Sequence, residues 1–299
     1  MALLSPRHWL RTALLLVAAT ALAGCENGRD AFAITDSGSL IRFPTDDPGS
    51  IDSELTITGL NEGDAVLQID FSIEPETLYG LTRANRIVTL DRETAVATYV
   101  GTGPFTTDVL QQPVMDYNPA NDFLRVIDYD PTGGSGSAIL RVDRTTGALL
   151  QSDGNGVIRY NDTDANDGEI PQLVAIAHSN GNSRATTTTQ YGLDFTTQSL
   201  VRVTNAGVLT TIGVLDRAFL DTVGFDIVRQ RGDRADDLGV AYIAFANNRD
   251  PARFFEIDLA DGNTSRSGFG TSGARIGDDR VVRSLAVVPT PPKRDGFMF

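Results

Sequence analysis

Beyond residue 30 the chain reads as short apolar runs broken by turns, and no stretch keeps a helical period for long. Residues 78–101, LYGLTRANRIVTLDRETAVATYVG, hold three such runs. The middle one has the form apolar-apolar-polar-apolar, and that form returns as LIRF, IVTL, ILRV, LVRV and FFEI, with Arg42, Thr89, Arg141, Arg202 and Glu256 in its third place. The spacing is roughly 50 residues, the size that a four-stranded propeller blade requires.

The neighbours of each copy recur as well. One strand upstream lie Phe32, Tyr79, Arg125, Tyr191 and Tyr242, in FAIT, LYGL, LRVI, QYGL and AYIA. Two strands upstream lie QIDF, VMDY, AIAH and GFDI, and a fifth segment of this kind, SLAV, stands near the end of the chain. Downstream comes a turn with Asp, Thr or Gly and then a last strand such as VATYVG. Asp and Gly supply the side-chain hydrogen bonds and positive φ of turns, and β-branched residues fill the strands. Each unit is therefore four strands. Residues 215–221, LDRAFLD, are at most a short helical turn between units.

The units are out of phase with the termini. The first strand, AFAIT, corresponds to a second strand, and the chain ends on an inner strand, VRSLAVV, that lacks partners. Pairing the two in one blade closes a ring and removes its exposed edges. The expectation is an all-β β-propeller of five four-stranded blades over residues 31–290. The rival is six blades, with GVIRY in the loop of residues 152–172 hiding a strand pair.

The segment before the repeats bears on location. Arg7, His8 and Arg11 precede an apolar run, residues 12–23, too short to span a bilayer comfortably, and LAGC closes it at Cys25. This predicts a signal peptide over residues 1–24. LAGC resembles the lipobox of bacterial lipoproteins, which implies a lipid on Cys25, a short tether over residues 25–30 and a membrane-anchored extracytoplasmic protein. An ordinary secretory signal cleaved near Ala23 is the alternative. Glu26, rather than Asp, after the cysteine favours the outer over the inner membrane. Residues 291–299, PPKRDGFMF, read as a C-terminal tail.

Charge and composition then exclude whole classes. The formal net charge is −14 and becomes more negative once Arg7 and Arg11 leave, which disfavours nucleic acid and anionic headgroups as partners. The chain has 1 Cys, 2 His and 1 Trp; Trp9 and His8 leave with the signal, so Cys25 and His178 are what remain for Cys or His chemistry. Cys/His zinc sites, cysteine nucleophiles and intrachain disulfides are excluded by count.

The segments IDFSIEPETLYGLTRANRIVTLDRETAVATYVGTGPF, MDYNPANDFLRVI, ATTTTQYGLDF and VGFDI together resemble the bacterial domain-of-unknown-function family forty-three ninety-four, across nearly all of residues 30–288. The resemblance implies a propeller-like fold and an extracytoplasmic setting. It implies no catalytic residue, because that family has no settled activity.

Three features are candidates for function. Asp70, Asp116 and Asp226 hold matching places on three inner strands, with Ala177 and Ala286 in the other two units; facing a channel, three carboxylates can take a cation or a sugar hydroxyl. The plainer expectation is that backbone N–H groups, or an arginine at a blade junction such as Arg125, satisfy them. In NDTDANDGE, Asp162, Asp164, Asn166 and Glu169 alternate as oxygen ligands do in calcium loops, making calcium the one cofactor to consider, although Asp167 stands where such a loop wants glycine. His178 is followed by SNGN, but no GxSxG elbow accompanies it, and a lone histidine at a strand end is more often structural.

Two functions remain. One is a noncatalytic binding or scaffold module, monomeric, that holds a protein or glycan at the membrane surface with the loop-rich face of a rigid propeller. The other is an extracytoplasmic carbohydrate-active hydrolase with two carboxylates at the channel mouth, which needs paired carboxyls roughly 5 to 10 Å apart.

Overall fold

The turns that end the third strands show how the sequence sets the local structure. At Asp91, Oδ1 accepts the N–H groups of Glu93 and Thr94 and the Thr94 hydroxyl at 2.8–3.0 Å. Asp143 does the same with Thr145 and Thr146. These bonds, led by the threonine hydroxyls, hold both carboxyls below the usual range, so each Asp stabilises its turn as an anion.

The computed structural model describes residues 28–129, 138–152, 158–229, 240–247, 250–264, 273–278 and 280–289. The predicted signal peptide, Cys25 and the tail from residue 291 lie outside them. The described residues form strands and no helix; residues 215–221 are an irregular connection.

The strands make five sheets. The first joins β21 (Val282–Val287), β1 (Asp30–Thr35), β2 (Ser39–Pro44) and β3 (Ser53–Thr56). The second is β4 (Val66–Ile73), β5 (Glu76–Thr82), β6 (Ile87–Leu90) and β7 (Ala97–Val100). The third is β8 (Val114–Asn118), β9 (Phe123–Asp128), β10 (Ala138–Asp143) and β11 (Leu149–Ser152). The fourth orders β13 (Leu173–His178), β14 (Gln190–Asp194), β15 (Ser199–Val203) and β16 (Val208–Val214), with β12 (Arg159–Tyr160) outside β16. The fifth is β17 (Val223–Val228), β18 (Val240–Asn247), β19 (Asp250–Ile257) and β20 (Ala274–Arg275). This is a five-bladed β-propeller. The segment GVIRY makes no sixth blade: Arg159 and Tyr160 pair in parallel with Val208 and Leu209, adding a fifth strand to the edge of the fourth blade.

One register holds in every blade. The cross-strand rows are Ala286–Phe32–Arg42, Asp70–Tyr79–Thr89, Asp116–Arg125–Arg141, Ala177–Tyr191–Arg202 and Asp226–Tyr242–Glu256. These are the positions that recur in the sequence. A slip of one residue would turn every apolar side chain to the wrong face, so the repeat and the register are one constraint.

The inner strands β8, β13 and β17 are buried at every position, because a blade packs on each of their faces, whereas β11 at the rim is exposed throughout. Five apolar clusters fill the five junctions between blades. At the junction of first and fifth blades the inner strands approach closely: a Cβ on Gly224 would lie 2.4 Å from Leu285 Cβ and 2.8 Å from its backbone nitrogen. Gly224→Ala is therefore expected to cost about 1–3 kcal/mol through overpacking. Denaturant unfolding reads this, and an unchanged midpoint would contradict the contact between β17 and β21.

Arg29 clamps the closure from outside the repeat. Its Nη1 donates to the carbonyls of Val288 at 3.1 Å and Pro289 at 2.6 Å, and its Nη2 to that of Arg229. Val288 N–H also returns to Asp30 O at 2.9 Å.

Candidate functional site: the two ends of the channel

The inner strands all begin at one mouth of the central channel and end near the other. Asp70, Asp116 and Asp226 sit on β4, β8 and β17 toward the far end, buried, with ligand oxygens all within 4.8 Å of one another. Beside them is a cavity of about 20 Å³ that His178 also lines. A space of that size holds one water.

Each carboxylate reaches the next blade. Asp70 Oδ2 accepts Tyr117 N–H at 2.6 Å, Asp116 Oδ2 accepts His178 N–H at 2.8 Å, and Asp226 Oδ2 accepts Val287 N–H at 2.6 Å. Each donor is the residue just after the matching inner-strand position. Ser284 Oγ completes the closing junction by accepting Ile69 N–H at 2.9 Å. Four of the five inner-strand junctions thus carry a side-chain-to-backbone bond; at the fifth, β13 offers only Ala177. Inner strands lie too far apart to pair as a ladder, and these side chains take the donors that would otherwise be buried without acceptors.

Burial in the channel, and then the charge of its two neighbours, pushes the Asp70 carboxyl well above the usual range. Burial followed by the charge of Asp226 does the same to Asp116. Asp226 is pushed up to about 6, chiefly by burial, and is restrained by its backbone N–H donors and by Arg29. His178 Nδ1 lies 2.5 Å from Asp116 Oδ2, yet burial first and the positive charge of Arg125 second lower its pKa to about 3. The pair is therefore a hydrogen bond between groups that both resist charge. The cluster therefore holds its protons to higher pH than ordinary carboxyls do, and its oxygens make a girdle.

The opposite mouth differs. It opens on a cavity of about 200 Å³ bordered by Gln68, Gln111, Gln112, Asp221, Thr222 and Arg283, over an aliphatic floor that includes Leu173 and Val174. Asp128 fixes its rim, taking the N–H groups of Gln111 and Gln112 on Oδ1 at 2.9 and 2.8 Å. Gln172 Nε2 donates to Gln112 Oε1 at 2.8 Å, which leaves the Gln112 amide hydrogens free for the cavity. The sequence signal for this end was weak, since its residues stand before the repeating inner-strand positions.

A family model for a domain of unknown function, DUF4394, matches residues 39–283. The chain belongs to the DUF4394 family. Among solved structures, this DUF4394 domain is similar to a protein of unknown function from Bacteroides caccae at 10% identity and a TM-score of 0.46, over 88% of this chain and 100% of that one. It is also similar to a protein of unknown function from Bacteroides thetaiotaomicron, at 13% identity and a TM-score of 0.45, over 80% of this chain and 57% of that one. A third, the Dos1 propeller, is 15% identical with a TM-score of 0.38 over 74% and 52% of the two chains. No curated protein matches the sequence.

The acidic loop of this DUF4394 chain turns its oxygens to separate partners. Asp162 Oδ1 pairs with Arg159 at 2.6 Å. Asp164 takes Thr211 N–H at 2.6 Å and its hydroxyl at 2.8 Å, and Asn166 Nδ2 donates to Thr211 Oγ1 at 2.9 Å. Among the described residues the acidic and histidine side chains that converge three together are those of the channel; Asp162, Asp164 and Glu169 do not. The loop fastens the edge of the fourth blade to β16. Arg125 is fully buried, opposite Asp116 in the register, and gives Nη2 to Asn205 Oδ1 at 2.5 Å. Ser284 and Arg29 were missed by sequence reasoning, Ser284 because a serine in the last strand carries no chemical signal and Arg29 because it precedes the first repeat.

Proposed function

We propose that this DUF4394 protein is an extracytoplasmic, lipid-anchored, noncatalytic binding module whose ligand enters the wide mouth of the propeller channel. The observation that carries the reading is the contrast between the two ends. The carboxylates a hydrolase would need are bound to backbone N–H groups, with oxygens within 4.8 Å of one another beside a cavity of about 20 Å³. A glycosidase acid and its partner stand roughly 5–10 Å apart with a sugar ring between them, and no ring enters such a space. The wide mouth has room, a pinned rim and uncommitted amides, but Asp221 is the one carboxylate among its lining residues, and acid–base hydrolysis needs two.

The anchor rests on sequence. LAGC supports lipidation of Cys25, and Glu26 supports the outer membrane; no helix among the described residues is long and apolar enough to cross a membrane. Cys25→Ser is expected to move the protein out of the membrane fraction or to leave its signal uncleaved, since several acyl chains hold firmly where none holds at all. Palmitate labelling that finds no lipid on the wild type would overturn the anchor. Binding is tested by capture from the protein's own membranes. Leu67 also lines the mouth, so a protein or glycan should be retained by the wild type and lost when Leu67→Trp fills the space; equal retention by both would place binding elsewhere.

A further inference from the structure

Arg283 lies at the start of the innermost closing strand and borders the wide mouth. It is exposed. In a chain of formal net charge −14, arginines usually find acids, as Arg42 finds Asp30 and Arg144 finds Asp122. Arg283 makes no hydrogen bond or ion pair with any described residue, and Asp221, on the same mouth, is not its partner but accepts the Thr222 hydroxyl at 3.3 Å. A guanidinium left this way offers five N–H donors in a planar fork, the shape that matches a carboxylate with two parallel bonds. Around it the amides of Gln68 and Gln111 can each donate and accept and that of Gln112 can donate, which suits hydroxyl groups, and Leu173 and Val174 give an aliphatic floor for C–H faces. The volume, about 200 Å³, falls below the roughly 300–1,000 Å³ of drug-sized sites, so it fits a single ring.

We infer that the mouth is a binding site for a single-ring sugar acid, with its carboxylate on Arg283 and its hydroxyls on the glutamine amides and Asp221. The inference rests on the binding-module reading and names the class of ligand. Anionic recognition on an acidic protein is local here: long-range repulsion slows encounter, and a short-range bidentate contact selects the carboxylate once the ring is seated.

The test is calorimetric titration of the full protein, purified from its membranes in detergent, with glucuronate and, separately, with glucose. Glucuronate should bind at least tenfold more tightly than glucose. Arg283→Gln should remove that difference with an unchanged melting temperature, because the side chain is exposed and has no partner among the described residues; Arg283→Lys should keep part of it, since charge remains and the fork is lost. Equal affinity for the two sugars, undiminished glucuronate binding by Arg283→Gln, or no heat from either sugar would each overturn the sugar-acid assignment. Retention of a partner by the wild type but not by Leu67→Trp would then still support the binding module, so the two failures are separable.

Discussion

Deleting residues 281–299 is expected to leave an insoluble or molten chain, whereas deleting residues 291–299 should leave a folded one. The longer deletion removes β21, whose Val282, Leu285, Ala286 and Val287 are buried. It also removes the five-residue register with β1, the contact with Gly224, the Ser284 bond to β4 and the donor that occupies Asp226. Arg29 loses the carbonyls of Val288 and Pro289 at the same time. A domain is stable by only about 5–15 kcal/mol, and an inner strand with both faces buried contributes more than that margin allows to be lost. The freed edge of β1 then invites association between chains. The shorter deletion removes the proline-rich charged tail and none of these contacts. Solubility and thermal melts of the two truncations check the difference; equal stability would contradict ring closure by β21.

The second large effect is on pH. A carboxyl whose pKa is raised by folding binds its proton more tightly in the native state, so its contribution is fully present below the unfolded value near 4 and is lost as pH rises through the folded value. Asp226, at about 6, should therefore make stability fall as pH climbs from about 4 toward 6, and Asp70 and Asp116, raised chiefly by burial and also by the charge of Asp226, act in the same direction. His178 acts in the opposite sense. Its pKa is lowered to about 3, so stability tied to it is lost as pH drops from about 6.5 toward 3, and it offsets part of the carboxyl slope between about pH 4 and 6.5. Arg29 and Arg125 stay charged throughout. For Asp226 alone the loss is on the order of 3 kcal/mol, which is several degrees in melting temperature. Asp226→Asn keeps an acceptor for Val287 N–H and removes the titration of Asp226, so its profile should lack that group's share of the fall between about pH 4 and 6. Identical profiles for the wild type and Asp226→Asn between about pH 4 and 6 would show that folding does not disfavour the charge on Asp226.

How far the sequence carried the account depends on which residues repeat. The rows Asp70–Tyr79–Thr89 and Asp226–Tyr242–Glu256 were legible because a blade repeats its buried positions at fixed phase, and the strand out of phase at each terminus foretold the closure of β1 on β21. Asp70, Asp116 and Asp226 were legible as a set, but not their partners, since a backbone N–H carries no letter in the sequence. The loop of Asp162 and Asp164 shows the limit from the other side. Its alternating oxygens resemble a metal loop, yet Arg159 and Thr211, the latter some 50 residues onward, take those oxygens, and only the strand pairing of β12 on β16 brings Thr211 there. The wide mouth was hidden for the same reason, since Gln68, Gln112 and Arg283 meet only when five strands are arranged around an axis.

The central claim is that the channel carboxylates hold the ring together as acceptors for the next blade, leaving ligand recognition to the opposite mouth. Hydrogen exchange of the Val287 amide in wild type, Asp226→Asn and Asp226→Leu tests it most directly. The account predicts strong protection in the wild type and in the Asn variant, which retains a carbonyl acceptor, and at least a tenfold faster exchange in the Leu variant, accompanied by a lower melting temperature. Equal protection in all three, with stability unchanged, would contradict the girdle and return the carboxylates to the list of groups free for chemistry.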